Sequence, residues 1–216
     1  MITIHGSTVS PFVRKTVVIA VEKGIEFTLK AGEFGNPSAE FLACSPFRKI
    51  PAMEDGDFRL CDSSAIIHYL EAKQPEPSMI PSSPQSRGRT IWYDELGDTI
   101  ISAAGGAIFF NRFVAPKVLG REGDLAAAEK AEAEALPPIY DYLEKTVPGE
   151  GFLVDDRFTL ADAAVASPFV NLAHLEIRPH AEKYPRLTAY LAAIHARPSF
   201  ARFITREGKL FGKVAA

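Results

Sequence analysis

The sequence predicts an α/β domain with a mixed sheet, followed by a domain built almost wholly of helices. Three observations carry this. The first thirty residues read strand, helix, strand. Asp55-Gly56 sits between two short β-type runs, and a helix cap follows at Asp62. After the proline- and serine-rich stretch QPEPSMIPSSPQS, Gln74 to Ser86, strand pattern almost disappears.

Ile2 to His5 is a β-branched run that starts nearly at the first residue. Pro11 to Lys23 reads as a helix, because Val13, Val17, Ala20 and Val21 recur at three- and four-residue spacings and Gly24 supplies a C-cap. Ile25 to Leu29 alternates as a second strand, parallel to the first by the usual handedness of a β-α-β unit. The segment GEFGNPSAEFLACSPFRKIP holds one short helical piece. Ala52-Met53-Glu54 and Phe58-Arg59-Leu60 flank the Asp-Gly hairpin signal. Asp62-Ser63-Ser64 then caps a helix through about Ala72. Further on, Arg87 to Val114 reads as one long helical stretch with a kink at Gly105-Gly106. Asp124 to Lys145 reads as a second, with Pro137-Pro138 near its last turns. Leu160 to Ala173 is apolar nearly all round, which predicts a central buried helix. Tyr184 to Ala196 and Ser199 to Ile204 complete the set. The expected division is residues 1–77, a linker at 78–86, and a helical domain at 87–216.

Composition narrows the function. A net charge of −3 argues against generic binding to nucleic acid or to an anionic membrane surface. The longest early apolar run, Val17 to Val21, is far too short to span a bilayer, and MITIHGSTV lacks the basic start of a signal peptide. Cys44 and Cys61 form neither a CxxC nor a metal-spaced set, and no histidine has HxxxH spacing or a cysteine partner. The expectation is therefore no metal, no disulfide framework and a reducing cytoplasmic setting.

Four places could carry chemistry. Ser10-Pro11 opens the first helix. Serine there is complete as an N-cap, and the same geometry would also present a hydroxyl and free N–H groups to an anion. No GxSxG surrounds Ser10, so it does not read as a hydrolase nucleophile. Arg48-Lys49-Ile50-Pro51 is either a basic surface loop or, with a cis Ile50-Pro51 bond, a site whose Ile50 N–H and C=O pair with an extended peptide-like ligand while Lys49 and Arg48 face a carboxylate. Asp62-Ser63 is a helix cap that also suits the ammonium and carboxylate of an amino-acid end. Thr159-Leu160-Ala161-Asp162 is a capping box with Asp in place of Glu, preceded by Phe158 as a hydrophobic staple; its reading is structural.

Taken in order, SPFVRKTVVIAVEKGIEF, SPFRKIPAMEDGDFRLCDSSAIIHYLE, FLVDDRFTLADAA and YPRLTAYLAAIHARPSF resemble the cytosolic glutathione transferase superfamily over nearly the full chain. The resemblance implies a thioredoxin-like N-terminal domain followed by an all-helical C-terminal domain, usually assembled as a homodimer. It implies glutathione as co-substrate, with no other cofactor, and a small electrophile as the second substrate. Ser10 matches the serine that faces the glutathione sulfur in serine-type classes. Lys49 and Ile50 match the residues that hold the glycyl carboxylate and cysteinyl main chain. Pro51 matches the cis-proline, and Asp62 and Ser63 match the acidic-Ser pair at the γ-glutamyl end. The SPF wording is most similar to the plant tau class, and a bacterial relative fits as well. The lysine that tau enzymes place before the second motif has no counterpart around Asn36-Pro37. Phe12, Phe109, Arg112 and Phe113 are expected, on helical position, to line an electrophile pocket between the domains, with Arg112 either favouring an acidic co-substrate or standing as a surface charge. The implied activity is conjugation of glutathione to hydrophobic electrophiles. Glutathione-dependent peroxide reduction, ligand binding without turnover, and a scaffold role are the alternatives.

Overall fold

The computed structural model of the chain describes residues 1–33 and 37–212. Part of the stretch around Asn36-Pro37 thus lies outside the described residues. The chain divides into two compact units, the first ending at Pro81 and the second beginning at Ser82.

The first unit contains β1 (Ile2–His5), α1 (Pro11–Glu22), β2 (Phe27–Lys30), α2 (Ala39–Cys44), β3 (Ala52–Asp55), β4 (Phe58–Cys61) and α3 (Ser63–Lys73). Its sheet has the order β2-β1-β3-β4. β1 runs parallel to β2 and antiparallel to β3, and β3 pairs antiparallel with β4. Alternation sends Ile2, Ile4 and Met53 to one face, where they are buried together with Val13 and Val17 of α1 and Ile66, Ile67 and Leu70 of α3. The opposite face carries Ala52, which packs with Phe41 and Cys44 of α2. The hairpin is one residue longer than the sequence indicated: Asp55 pairs with Phe58, so Gly56-Asp57 forms the turn and Gly56 takes φ 61°.

Residues after α3 are anchored rather than loose. Glu71 accepts from Lys23 Nζ at 2.7 Å, from Ser78 Oγ at 2.8 Å and from the backbone N–H groups of Met79 and Ile80 at 3.0 and 3.2 Å. Lys23 Nζ also donates to Pro77 O at 2.8 Å. One carboxylate and one buried ammonium therefore tie the end of α1, the body of α3 and the 77–80 segment together.

The second unit contains α4 (Pro84–Glu95), α5 (Ser102–Phe109), α6 (Leu125–Lys130), α7 (Leu136–Thr146), α8 (Leu160–His174), α9 (Pro185–His195) and α10 (Pro198–Gly208). Ser83 caps α4, so Pro84 to Ser86 are its first turn rather than linker. π-helical turns at Leu96–Ile101 and Phe110–Val118 carry the chain from α4 through α5, and α5 runs through Gly105-Gly106 without interruption. The glycine that matters is Gly97: a Cβ there would stand 2.6 Å from the Ala164 carbonyl oxygen of α8. A further π turn, Ala131–Ala135, joins α6 to α7, and Pro137-Pro138 lie in the first turn of α7 rather than near the last turns of one continuous helix. α8 is central, as its all-round apolarity predicts, with Leu160 to Leu172 buried throughout. Asp162 organises its start, accepting from Leu153 N at 3.0 Å, Thr159 N at 2.9 Å, Thr159 Oγ1 at 3.2 Å and Tyr190 Oη at 2.9 Å. Phe158 meets Phe152 edge-on and takes the Arg197 guanidinium over its face. Among the described residues no helix is long and apolar enough to cross a membrane.

Candidate active site

Register brings three of the four candidate segments to one end of the sheet. His5 stands opposite Ala52, and Ala52 opposite Cys61. The chain leaves β1 at His5 toward Ser10, enters β3 through Ile50-Pro51, and leaves β4 into Asp62-Ser63. Side chains reinforce the convergence: Lys15 Nζ of α1 donates to Ser64 Oγ of α3 at 3.0 Å. Gly6 is the hinge of the arrangement, at φ 150°. A Cβ there would lie 2.5 Å from Val13 Cγ2 and 3.4 Å from Ile50 Cβ, so the exit from β1 passes between α1 and the Ile50 loop only as glycine. That role is not readable from a single glycine after a strand.

Ser10 is the N-cap of α1, with extended backbone and Pro11 in the first turn. Its Oγ accepts from Val13 N at 3.5 Å, a long bond. Among the described residues its hydroxyl proton has no acceptor. The hydroxyl is half-buried and sits at the positive end of a twelve-residue helix.

The Arg48–Pro51 loop is held by one buried side chain. Ser45 Oγ donates to Lys49 O at 2.7 Å and accepts from Lys49 N at 2.8 Å. Arg48 adopts φ 57°, and both Arg48 and Lys49 are exposed. Ile50-Pro51 is cis, as is Glu76-Pro77. The Ile50 N–H and C=O have no partner among the described residues. Ser45 was not visible as a functional support, because a serine before a proline reads as an ordinary turn residue.

Asp62 takes φ 81°, a conformation costing on the order of 1 kcal/mol outside glycine, and caps α3 by accepting from Ala65 N at 3.0 Å. Asp62 is exposed and Ser63 buried. This end of the fold thus displays a helix N-terminus with a hydroxyl, the unpaired N–H and C=O of Ile50 just after two cationic residues, and a second helix N-terminus with a carboxylate. The set suits an extended, zwitterionic peptide bearing a nucleophilic or anionic centre.

Of the other candidates, Phe12 is half-buried on the first turn of α1 in the first unit. Phe109 and Phe113 belong to the second unit, where their rings lie 5.1 Å apart. Both meet Phe211, which the sequence did not single out; it lies 4.3 Å from Phe113 and stacks on His174 at 4.4 Å. His174 Nε2 and Glu207 Oε2, both buried, are 3.0 Å apart behind it. Arg112 Nη1 is 2.6 Å from Glu132 Oε2, so its charge is already met.

Sequence spacing leaves His5 without a cysteine partner. His5 does have a cysteine neighbour once the chain folds. His5 Nε2 lies 2.7 Å from Glu54 Oε1, and Cys44 Sγ lies 3.4 Å from the same oxygen. Spacings of 39 and 10 residues hide this cluster from motif reading.

The fold so far defines a two-unit protein with a four-stranded mixed sheet followed by a helical unit. Comparison with known proteins makes the assignment. The family model described as glutathione S-transferase, N-terminal domain, matches residues 4–78, and that described as glutathione S-transferase, C-terminal domain, matches residues 103–198. The chain is 31% identical over 209 residues to glutathione S-transferase 3 of Zea mays, covering 93% of this chain and 92% of that one. Among solved structures, a glutathione S-transferase from Rhodospirillum rubrum F11 superposes with a TM-score of 0.84 at 22% identity, over 94% of this chain and 91% of the other. Glutathione transferase F7 from Populus trichocarpa superposes with a TM-score of 0.81 at 24% identity, over 96% and 99%. The chain belongs to the glutathione S-transferase family, with the thioredoxin-like first domain and helical second domain of that family. It is a glutathione transferase, an enzyme that transfers groups to glutathione.

Proposed function

We propose that Ser10 donates a hydrogen bond to the sulfur of bound glutathione and keeps it ionised, so that the thiolate attacks a small hydrophobic electrophile. The observation that carries this is the Ser10 hydroxyl at the N-cap of α1, with a 3.5 Å bond accepted from Val13 N and its own proton unassigned among the described residues. The magnitudes suffice. A free thiol has a pKa of ~8.5, and lowering it by ~2 units requires about 2.7 kcal/mol of preferential anion stabilisation. A hydroxyl bonded to a charged acceptor contributes roughly 1.5–3 kcal/mol, and the helix terminus about 0.3–1.

In this reading Lys49 meets the glycyl carboxylate, and the Ile50 main chain, next to Pro51, pairs with the cysteinyl peptide unit. Ser63 and the N-terminus of α3 take the γ-glutamyl carboxylate, and Asp62 its ammonium. Phe12 is the apolar candidate for meeting the electrophile on the first unit, and Phe109 and Phe113 are the candidates on the second, where Arg112 is neutralised by Glu132. The enzyme is serine-type. Its SPF wording is tau-like, whereas its plant relatives include phi-class enzymes, so we assign the mechanism and not the class. It works as a cytosolic homodimer with no cofactor beyond glutathione.

The test is retention on immobilised glutathione followed by assays with a chloronitrobenzene, a hydroperoxide and a mixed disulfide, for the wild type and Ser10→Ala. Conjugation that falls 10- to 100-fold in the variant at neutral pH, and recovers as pH rises, supports the proposal. An unchanged pH–rate profile in Ser10→Ala contradicts it. Retention without turnover identifies a binding protein instead, and dominant hydroperoxide turnover a peroxidase.

A further inference from the structure

We propose that His5, Cys44 and Glu54 form a binding site for a zinc-class divalent cation, separate from the glutathione-binding residues. The three ligand atoms come from β1, α2 and β3 and all lie within 4.8 Å of one another. His5 and Cys44 are buried, at 4% and 3% exposure, and the Glu54 side chain is 17% exposed. Imidazole nitrogen, thiolate sulfur and carboxylate oxygen are the donors zinc takes, at about 2.0–2.1, 2.3 and 2.0–2.2 Å respectively.

Tetrahedral coordination at those lengths separates N from O by about 3.4 Å and S from O by about 3.5 Å. Cys44 Sγ and Glu54 Oε1 are already 3.4 Å apart. His5 Nε2 and Glu54 Oε1, at 2.7 Å, would open by about 0.7 Å as the ion replaces the proton between them. Binding releases the Cys44 thiol proton to solvent, and the His5 ring proton passes to Nδ1, which leaves a neutral imidazole with Nε2 free to ligate. A thiolate and a carboxylate then neutralise the dication, so the occupied site buries no net charge. Three protein ligands leave the fourth position to water, which the partial exposure of Glu54 admits. Arg59, opposite Glu54 in the β3–β4 register, is exposed and so has solvent in which to swing clear. Cys44 directly precedes Ser45, the anchor of Lys49, so the ion would also fasten α2 and the loop that follows it to the sheet.

The test uses the full chain, free of metal and of glutathione, so its outcome is independent of the role given to Ser10. Cobalt(II) titration should show one equivalent bound with a thiolate-to-metal charge-transfer band and tetrahedral ligand-field bands, all bleached by zinc. Cys44→Ser and His5→Gln should lose the charge-transfer band or the stoichiometric binding, and Cys61→Ser should keep both. X-ray absorption at the zinc edge of the wild type should read one sulfur at about 2.3 Å and nitrogen or oxygen neighbours at about 2.0 Å. The proposal is overturned by a wild type without the charge-transfer band, by a zinc shell containing no sulfur, or by a band that survives Cys44→Ser and disappears in Cys61→Ser.

Discussion

Ser10, Lys49 and Asp62 each serve the backbone before they serve a ligand. Ser10 caps α1, Lys49 is clasped through its main chain by Ser45, and Asp62 caps α3. Caps and turns are local, so these positions were legible in the sequence, although their joint use depended on a family resemblance. What local reading missed is of a different kind. Ser45, Gly6 and the His5–Cys44–Glu54 cluster acquire meaning only through partners far along the chain. Lys49→Ala removes a side chain that is exposed and whose proposed task is ground-state attraction. Steady-state kinetics should therefore show KM for glutathione raised about tenfold, or ~1.4 kcal/mol, with kcat nearly kept. Gly6→Ala should lower both glutathione affinity and Tm, because its methyl would press on the Val13 side chain and crowd Ile50. Calorimetry with and without glutathione reads both effects.

Among elements, starts were easier to read than continuations. Ser10, Asp62, Asp124 and Thr159 mark helix N-termini through residues that act within one turn, whereas the Ser83 cap is hidden in a stretch that reads as linker. The π turns flanking α5 and between α6 and α7 left no such trace, and the glycine pair taken for a kink lies within regular helix. The reason is tertiary. At Gly97, close approach to the Ala164 carbonyl decides what the helix tolerates, whereas a Cβ at Gly106 would meet nothing. Gly97→Ala should therefore cost roughly 1–3 kcal/mol by overpacking, and Gly106→Ala should be neutral or slightly stabilising, both read as shifts in urea midpoint. Asp162 is the stronger case. Burial pushes its carboxyl pKa up, against four donors that favour the anion. Asp162→Ala would strand buried N–H and hydroxyl donors and should destabilise the helical unit by about 3–5 kcal/mol in chemical unfolding.

For the chain as a whole, the division after Pro81 follows from where the anchoring stops rather than from composition. The proline- and serine-rich stretch read as a linker, yet Glu71 and Lys23 bind its first half to the first unit. Burial alone would raise the Glu71 pKa; Lys23, the Met79 and Ile80 N–H groups and Ser78 hold it below its ordinary 4.5. Lys73 and Tyr69 likewise hold Asp55 below 3.8. Depressed carboxylates contribute stability that is complete above the unfolded pKa and is lost as pH falls through the folded one. The share of unfolding free energy that Glu71 and Asp55 contribute should therefore be level above about pH 4.5 and decline below it, with Glu71→Gln removing part of that decline. Urea titrations across the acid range check the sign.

The hydroxyl at the start of α1 is proposed to set the ionisation of bound glutathione, and the ultraviolet absorbance of the bound thiolate, followed against pH, reads that ionisation without intervening steps. The wild-type complex should titrate about 2 units below the free thiol at ~8.5, and Ser10→Ala should return most of that shift while still binding glutathione. A bound thiol that titrates at the same depressed pH in both proteins would exclude Ser10 as the source of the shift.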